Sequence, residues 1–416
     1  MKRTLISAAM IVDADRIRAA PGALLVEGGQ IVAAGSPQAI GRPADVRVVE
    51  TPRSVLVPGL VNAHCHLDLS HIDPVACDGS FVDWAEALRR RRATGEAEIA
   101  ASVRKGIALS RAGGVALVGD IAGVGSRIPL RELRRAGLPG VSFLEVFGIG
   151  RRQPKAIQTL RRAVEQIPAE ENGVRLGLQP HAPYSCGEDV YRAAASLQRP
   201  LATHLAETLE ELRFVGNGDG PLADLLIRLG VWDETIRGRA EHPIDALAES
   251  LAAVPLLAAH LNYVESRHLP MLRRWGLTVA YCPRASTYFG HPQGGREPHR
   301  YRSMLDAGVN VALGTDGRLC LDTPDRISVL DDMRLLSRRD GIDPRTLLRM
   351  ATINGATALG FDAGLVTFDP GPTLGVLALA IEPDRRDDPL AQAMCRDDAP
   401  RWIVGPREDG GPDAEA

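Results

Sequence analysis

Lysine is nearly missing from this chain of 416 residues: Lys2, Lys105 and Lys155 are the only three, and arginine carries almost all of the positive charge. Nor is there a positive excess. The net charge is −3, so no global basic field is available for nucleic acid or acidic lipid. No CxxC pair occurs among the cysteines Cys65, Cys77, Cys186, Cys282, Cys320 and Cys395, which excludes a zinc ribbon or a thioredoxin-type motif. In a long chain without a disulfide-rich composition these thiols are expected to be reduced and mostly buried. No apolar run approaches the ~20 residues of a membrane-spanning helix. The opening MKRTLISAAMIVDADRI imitates a signal peptide, but its apolar part is brief and runs into Asp13 and Asp15. It reads as a β-strand. The expectation is a cytoplasmic protein with no nucleic-acid and no membrane partner.

What is present is an ordinary globular composition, 45% hydrophobic and 24% charged, in a chain long enough for one large and one smaller domain. Residues 1–57 read as β-structure. LISAAMIVDA, GALLVEGGQIVAAG and VRVVETP are short apolar runs between turn residues, and EGGQI predicts a hairpin. From 58 to 360 the pattern changes. Eight apolar runs, at 55–64, 114–123, 140–148, 174–182, 200–207, 254–262, 277–285 and 309–317, alternate with segments of helical periodicity such as VDWAEALRRRR and AIQTLRRAVEQI. Near-continuously apolar strands are those of a buried parallel sheet. Eight strand–helix repeats predict an α/β protein with a (β/α)8 TIM barrel over 58–360. A doubly wound sheet is the alternative, but no Gly-rich dinucleotide fingerprint follows any strand. β-like segments return over 361–405, so a small β-sandwich domain built from both chain ends, 1–57 with 361–405, is expected. The polar, Gly-rich residues 406–416 read as a disordered tail.

A TIM barrel carries its active site at the C-terminal ends of its strands, and the ionisable residues there are concentrated. His64 and His66 end strand one, His181 ends strand four, His204 and Glu207 lie on strand five, His260 on strand six and Asp316 on strand eight. In a strand, residues i and i+2 share a face. His64 and His66 can therefore both point into the barrel mouth, with Cys65 directed at the helices. An HxH pair alone is also consistent with an unremarkable polar strand end. With His204 and Asp316 it becomes a set of three imidazoles and one carboxylate, sufficient for one divalent metal ion with an exchangeable water. Glu207 could shuttle a proton beside that water; the competing reading is a helix N-terminal glutamate favoured by the macrodipole. That second reading suits Glu210 and Glu211, expected as solvated first-turn residues. His260 is either a fourth ligand or a base hydrogen-bonded to the water. Glu207, His260 and Asp316 are thus the expected catalytic residues. His181 is an expected substrate contact, with a structural role as its competitor, and His71 and His242 are expected in loops.

In order along the chain, PGLVNAHCHLD, PHAPYS, HLAETLEE, AHLN, AYCPRAS and LGTDG resemble the amidohydrolase superfamily, in particular its cytosine-deaminase-like and chlorohydrolase-like branch. That branch includes adenosylhomocysteine deaminases and the aminodeoxyfutalosine deaminases of menaquinone biosynthesis. The resemblance implies that His64, His66, His204 and Asp316 hold the metal, zinc in the first place with iron as the other candidate. It implies that Glu207 handles the proton of a ring nitrogen and that His260 assists the hydrolytic water. His181, Phe81, Trp84 and Arg284 become the expected substrate contacts. Two-metal relatives use a carboxylated lysine at the end of strand four; that strand here reads VRLGLQPHAP and holds none, which implies one metal. The family usually has Ser or Asn after the strand-eight aspartate, whereas this chain has Gly317, which bears on substrate choice. The resulting expectation is hydrolytic deamination of an amino-substituted heterocycle, such as a purine nucleoside derivative, with release of ammonia. Displacement of chloride from a heterocycle is the alternative reaction, and a non-catalytic ligand-binding barrel the alternative role. A small-molecule substrate is the expected partner, and a homodimer is compatible with the sequence.

Overall fold

A computed structural model describes residues 3–74, 76–77, 80–293, 296, 298–382 and 388–405. The expected tail, 406–416, lies outside them. The first five strands are β1 (Arg3–Val12), β2 (Ile17–Ala19), β3 (Gly22–Glu27), β4 (Gln30–Gly35) and β5 (Val46–Pro58). β3 and β4 form the hairpin expected from EGGQI, with Glu27 opposite Gln30. Gly28 and Gly29 make its two-residue turn at φ 56° and 74°, the left-handed conformation that such a turn requires.

Next come β6 (Leu60–His66), β7 (Val115–Ala122), β8 (Gly140–Val146), the short β9 (Glu170–Glu171), β10 (Val174–Pro180), β11 (Leu201–Leu205), β12 (Leu256–His260), β13 (Thr278–Tyr281), β14 (Asn310–Leu313) and β15 (Asp316–Gly317). The chain ends in β16 (Gly371–Pro372), β17 (Val376–Ala380) and β18 (Arg401–Val404). Strands β6, β7, β8 and β10 to β14 pair in parallel with their sequence neighbours, and β15 pairs in parallel with β6. The eighth barrel strand therefore continues back to the first, and the Thr315 amide donating to the His64 carbonyl strengthens that seam. The small side chains Ala63, Ala202, Ala259, Ala280 and Ala312 fill the barrel interior with Val61, Leu117, Ile121 and Phe143.

Strands from both chain ends form the second sheet, in the order β16-β4-β3-β1-β5-β17-β18. The expected sandwich takes the form of one hydrogen-bonded sheet with two apolar faces. Ile6, Ala8, Leu24, Val26, Leu56 and Phe368 make its own core. Alternate positions, Met10, Val12, Val55, Val57, Leu377 and Leu379, join the core that clads the barrel. The period-two alternation of Val55, Leu56 and Val57 thus welds the two parts together. The apolar run at 55–64 divides at Gly59, between β5 and β6. A Cβ there would lie 2.5 Å from the Ala116 Cβ and 3.3 Å from the Trp402 ring, so only glycine lets the two sheets approach at the junction. Among the described residues no helix is long and apolar enough to cross a membrane.

Candidate active site

The residues singled out at the strand ends meet in one cleft at the C-terminal mouth of the barrel. A register irregularity in β6 between Asn62 and Cys65 sets the phase that turns both His64 and His66 inward. Their ring centroids are 5.2 Å apart, and His64 lies 5.0 Å from His204 and 5.4 Å from His260. Cys65 faces the opposite way, among Leu67, Val103 and Ile107 of the outer core. In β11, Ala202 is interior, and His204 two residues later follows it. In β12 the interior residues are Leu257 and Ala259, so regular alternation would carry His260 outward. The backbone leaves strand geometry there, with φ 72° at His260 and 50° at Leu261, and the imidazole turns into the cleft. His299 fixes that bend by donating from Nε2 to the His260 carbonyl at 2.8 Å. Asp316 also sits at positive φ, 61°. Such a position costs of order 1–3 kcal/mol for a non-glycine residue, less for Asp, and persists where the surroundings impose it. Asn62 does so by bonding the Thr315 hydroxyl at 2.8 Å.

The donor set suits a divalent cation. The ligand atoms of His64, His66 and His204 all lie within 4.8 Å of one another, and so do those of His64, His260 and Asp316. Among the described residues His64 Nε2 is buried and has no hydrogen-bond partner, a costly condition unless something else occupies it. His204 donates from Nδ1 to the His181 carbonyl at 3.1 Å, which leaves Nε2 with its lone pair for a metal. Asp316 Oδ1 lies 3.3 Å from His66 Nε2 and 3.8 Å from His64 Nε2. Burial would raise its carboxyl, but these imidazoles outweigh burial and hold it well below the usual range.

Glu207 Oε1 lies 3.5 Å from His260 Nε2. Burial, with Asp316 and Glu211 nearby, pushes the Glu207 carboxyl well above its ordinary value. Burial also pushes His260 down to about 3, so its imidazole is neutral at pH 7. The loop bearing Glu207 is held from three sides. Asn262 donates to the Glu207 carbonyl at 3.0 Å, and Glu211 accepts from the amides of Ala206 at 2.9 Å and Glu207 at 2.8 Å. Glu211 is therefore fully buried, not solvated as its place in a helix first turn predicts. The Thr208 cap turns the helix Leu209–Asn217 back over its own entry, so the glutamate closes on the preceding loop.

His181 reaches the cleft beside His204, with ring centroids 4.9 Å apart, and Phe81 and Trp84 line the same cleft from the helix Phe81–Arg91. Trp84 is fixed by its indole N–H on the Tyr288 hydroxyl at 3.1 Å. Arg284 is a correction. It does not line the cleft. Its buried guanidinium turns to Asp332, at 3.0 Å, and to the Ser328 carbonyl, at 2.9 Å. A buried guanidinium is stable where carboxylates neutralise it, here Asp332 on the helix Val329–Asp340 and Asp322 at 3.2 Å. His71 bonds Ser102 and the Arg91 carbonyl, and His242 caps the helix Pro243–Ala246; neither joins the cleft.

Sequence reasoning passed over Arg92, Glu145, Phe147 and Tyr184, which also line the cleft. Glu145 had a usable signal, a carboxylate inside the apolar strand-end run GVSFLEVFG. Arg92 had none, because it lies at the end of an arginine run. Gly317 lines the cleft as well, and a Cβ there would press on the end of the Leu319 side chain, 2.8 Å away, with Leu69 Cδ1 at 3.9 Å.

Comparison with known proteins agrees with this architecture. The chain is 30% identical over 361 residues to an aminodeoxyfutalosine deaminase of Deinococcus radiodurans, covering 82% of each. It is 28% identical over 372 residues to a 5-methylthioadenosine/S-adenosylhomocysteine deaminase of Pyrococcus horikoshii, covering 82% of this chain and 78% of that one. In fold it is similar to the aminofutalosine deaminase of Helicobacter pylori solved with methylthio-coformycin, with a TM-score of 0.80 at 20% identity over 97% of this chain and 98% of that chain. Residues 55–371 match the profile of the amidohydrolase family, and the chain belongs to that family.

Proposed function

We propose that this protein is a mononuclear, metal-dependent deaminase of an adenine-nucleoside-type substrate. The observation that carries the reading is the convergence of His64, His66, His204 and Asp316 with the Glu207–His260 pair in one cleft. The names of three sequence relatives, deaminases of 5-methylthioadenosine/S-adenosylhomocysteine, of aminodeoxyfutalosine and of 5′-deoxyadenosine, support the substrate class.

His64, His66, His204 and Asp316 would hold the ion, with zinc as the first assignment. A divalent ion supplies Lewis acidity there and lowers the pKa of a bound water towards neutrality. The chain's own residues divide the proton work. Neutral His260 takes a proton from the water as it adds to the ring carbon bearing the amino group. Glu207, whose burial beside Asp316 and Glu211 favours the protonated carboxyl, gives a proton to the adjacent ring nitrogen. His260 passes the proton it took to the departing nitrogen, the added hydroxyl returns its proton to Glu207 as the C=O bond forms, the C–N bond breaks and ammonia leaves. Phe81 and Trp84 give the ring an apolar wall and exclude water from it.

The test is an ammonia-release screen of zinc-loaded protein with adenine nucleosides, guanines, pterins and triazines. Ammonia from an adenine nucleoside, with the matching hypoxanthine nucleoside as product, is the expected result. Chloride from a chlorotriazine without ammonia from any amine would transfer the assignment to displacement chemistry. No product from any compound would leave a ligand-binding barrel.

A further inference from the structure

His299 stands behind the cleft, is buried, and takes no part in the proposed chemistry. Its own surroundings fix it closely. The Tyr301 amide donates to its Nδ1 at 3.0 Å. Burial holds the imidazole down to about 4, so it is neutral at pH 7 and carries its proton on Nε2. The ring lies flat on Tyr281, with centroids 3.8 Å apart and planes at 18°. Tyr281 is stacked in turn on Tyr301 at 5.2 Å. Both tyrosines end on the last turn of the helix Val329–Asp340. Arg339 donates to the Tyr281 hydroxyl at 3.1 Å, the Tyr301 hydroxyl donates to Asp340 at 2.6 Å, and Arg339 pairs with Asp340 at 2.8 Å. Tautomer, ring plane and position are all set from outside the cleft.

The N–H fixed in this way meets the backbone of His260. Pairing of β12 with β13 ends at Ala259 opposite Ala280. Past that point His260 and Leu261 are both left-handed, a conformation that non-glycine residues hold only where the surroundings impose it. The Leu261 amide goes to the Leu205 carbonyl at 3.0 Å, and the buried His260 carbonyl accepts from His299 Nε2 at 2.8 Å. Losing that donor takes a partner from a buried carbonyl. A return to extended backbone would restore the alternation in which Leu257 and Ala259 are interior, and would carry the His260 ring outward. The 3.5 Å approach of His260 Nε2 to Glu207 Oε1 would then be lost.

We infer that His299, held by the Tyr281–Tyr301 stack, is a positioning residue that aims the His260 imidazole into the cleft through its main-chain carbonyl. This deepens the proposed reaction and rests on it for the part played by His260. His299 touches neither the metal ligands nor the cleft, so substrate affinity and metal content are not its concern.

The test compares zinc-loaded His299→Asn with the parent. Asparagine still offers an acceptor to the amide two residues on, as it does in turns, but is too short to reach the His260 carbonyl. The expected kcat for ammonia release from 5′-deoxyadenosine falls about a hundredfold, the scale of a small misplacement of a reacting group. KM should stay within about threefold and zinc content should not change. In a crystal structure of the variant, the His260 ring should have left Glu207. His299→Gln, which keeps an N–H of similar reach, should recover kcat to within about tenfold of the parent. In a His260→Ala background, adding His299→Asn should change kcat by less than about threefold, because residues acting through one another are not additive. Parent-level kcat in His299→Asn, multiplying effects in the double variant, or a His260 ring still against Glu207 would each overturn the assignment. Should His299→Asn fail to fold, His299→Phe, which keeps a ring on Tyr281, takes its place in every measurement. A parent that releases no ammonia would remove the proposed reaction, and the crystal structure alone would then decide whether His299 sets the direction of His260.

Discussion

Glu207→Gln is expected to lower turnover by about a thousandfold, within the range by which a positioned acid–base group accelerates a reaction. Zinc content and the melting temperature should change little. Gln matches Glu in shape, and the Glu207 backbone contacts that shape the loop, to Glu211 and Asn262, involve only main-chain atoms of residue 207. What is lost is the proton. Burial with Asp316 and Glu211 raises the Glu207 carboxyl well above its ordinary value, which favours its acid form, and an amide cannot replace a proton donor of that kind. Residual activity above about a tenth of the parent would place the acid elsewhere. His260 would not inherit the role, since burial holds it unprotonated, down to about 3.

Asp316→Asn is expected to have an effect of similar size by a different route. Asparagine is nearly isosteric and tolerates the left-handed φ of 61° that this position imposes, so the barrel seam from β15 to β6 should survive. The anionic donor facing His64 and His66 is removed. Metal affinity should then fall by more than the roughly 10–100-fold that loss of an outer partner of a ligand costs. The measurement is zinc per chain after dialysis, read beside turnover. The account predicts well under one equivalent and turnover falling in proportion to it. A variant with full zinc and full activity would show that Asp316 is not a ligand. The contrast with Glu207→Gln is the informative part, since one variant loses the proton and keeps the metal, and the other loses the metal.

The features legible in the sequence are those fixed by short-range geometry. His64 and His66 share a face because a strand repeats every two residues, whereas their inward direction depends on the register irregularity between Asn62 and Cys65, since Ala63 is itself interior. The eight apolar runs each correspond to a barrel strand because buried parallel strands must be apolar on both faces. Long-range pairing is what the sequence concealed. Arg284 looked available to substrate because its neutralising carboxylate, Asp332, lies 48 residues further on. Glu211 looked solvated because nothing local says that its helix folds back onto the amides of Ala206 and Glu207. His260 owes its direction to a backbone bend that strand periodicity opposes. Glu145 and Arg92 enter the cleft from strand three and from the end of the Phe81–Arg91 helix, which only the closed barrel brings together.

The central claim is that one metal ion at His64, His66, His204 and Asp316 supports hydrolytic deamination. Its most direct test is to titrate zinc into chelator-treated protein while following ammonia release from 5′-deoxyadenosine. The account predicts no ammonia without metal, a linear rise in rate, and a plateau at one equivalent per chain. A plateau at two equivalents, or full activity in the chelated protein, would contradict it.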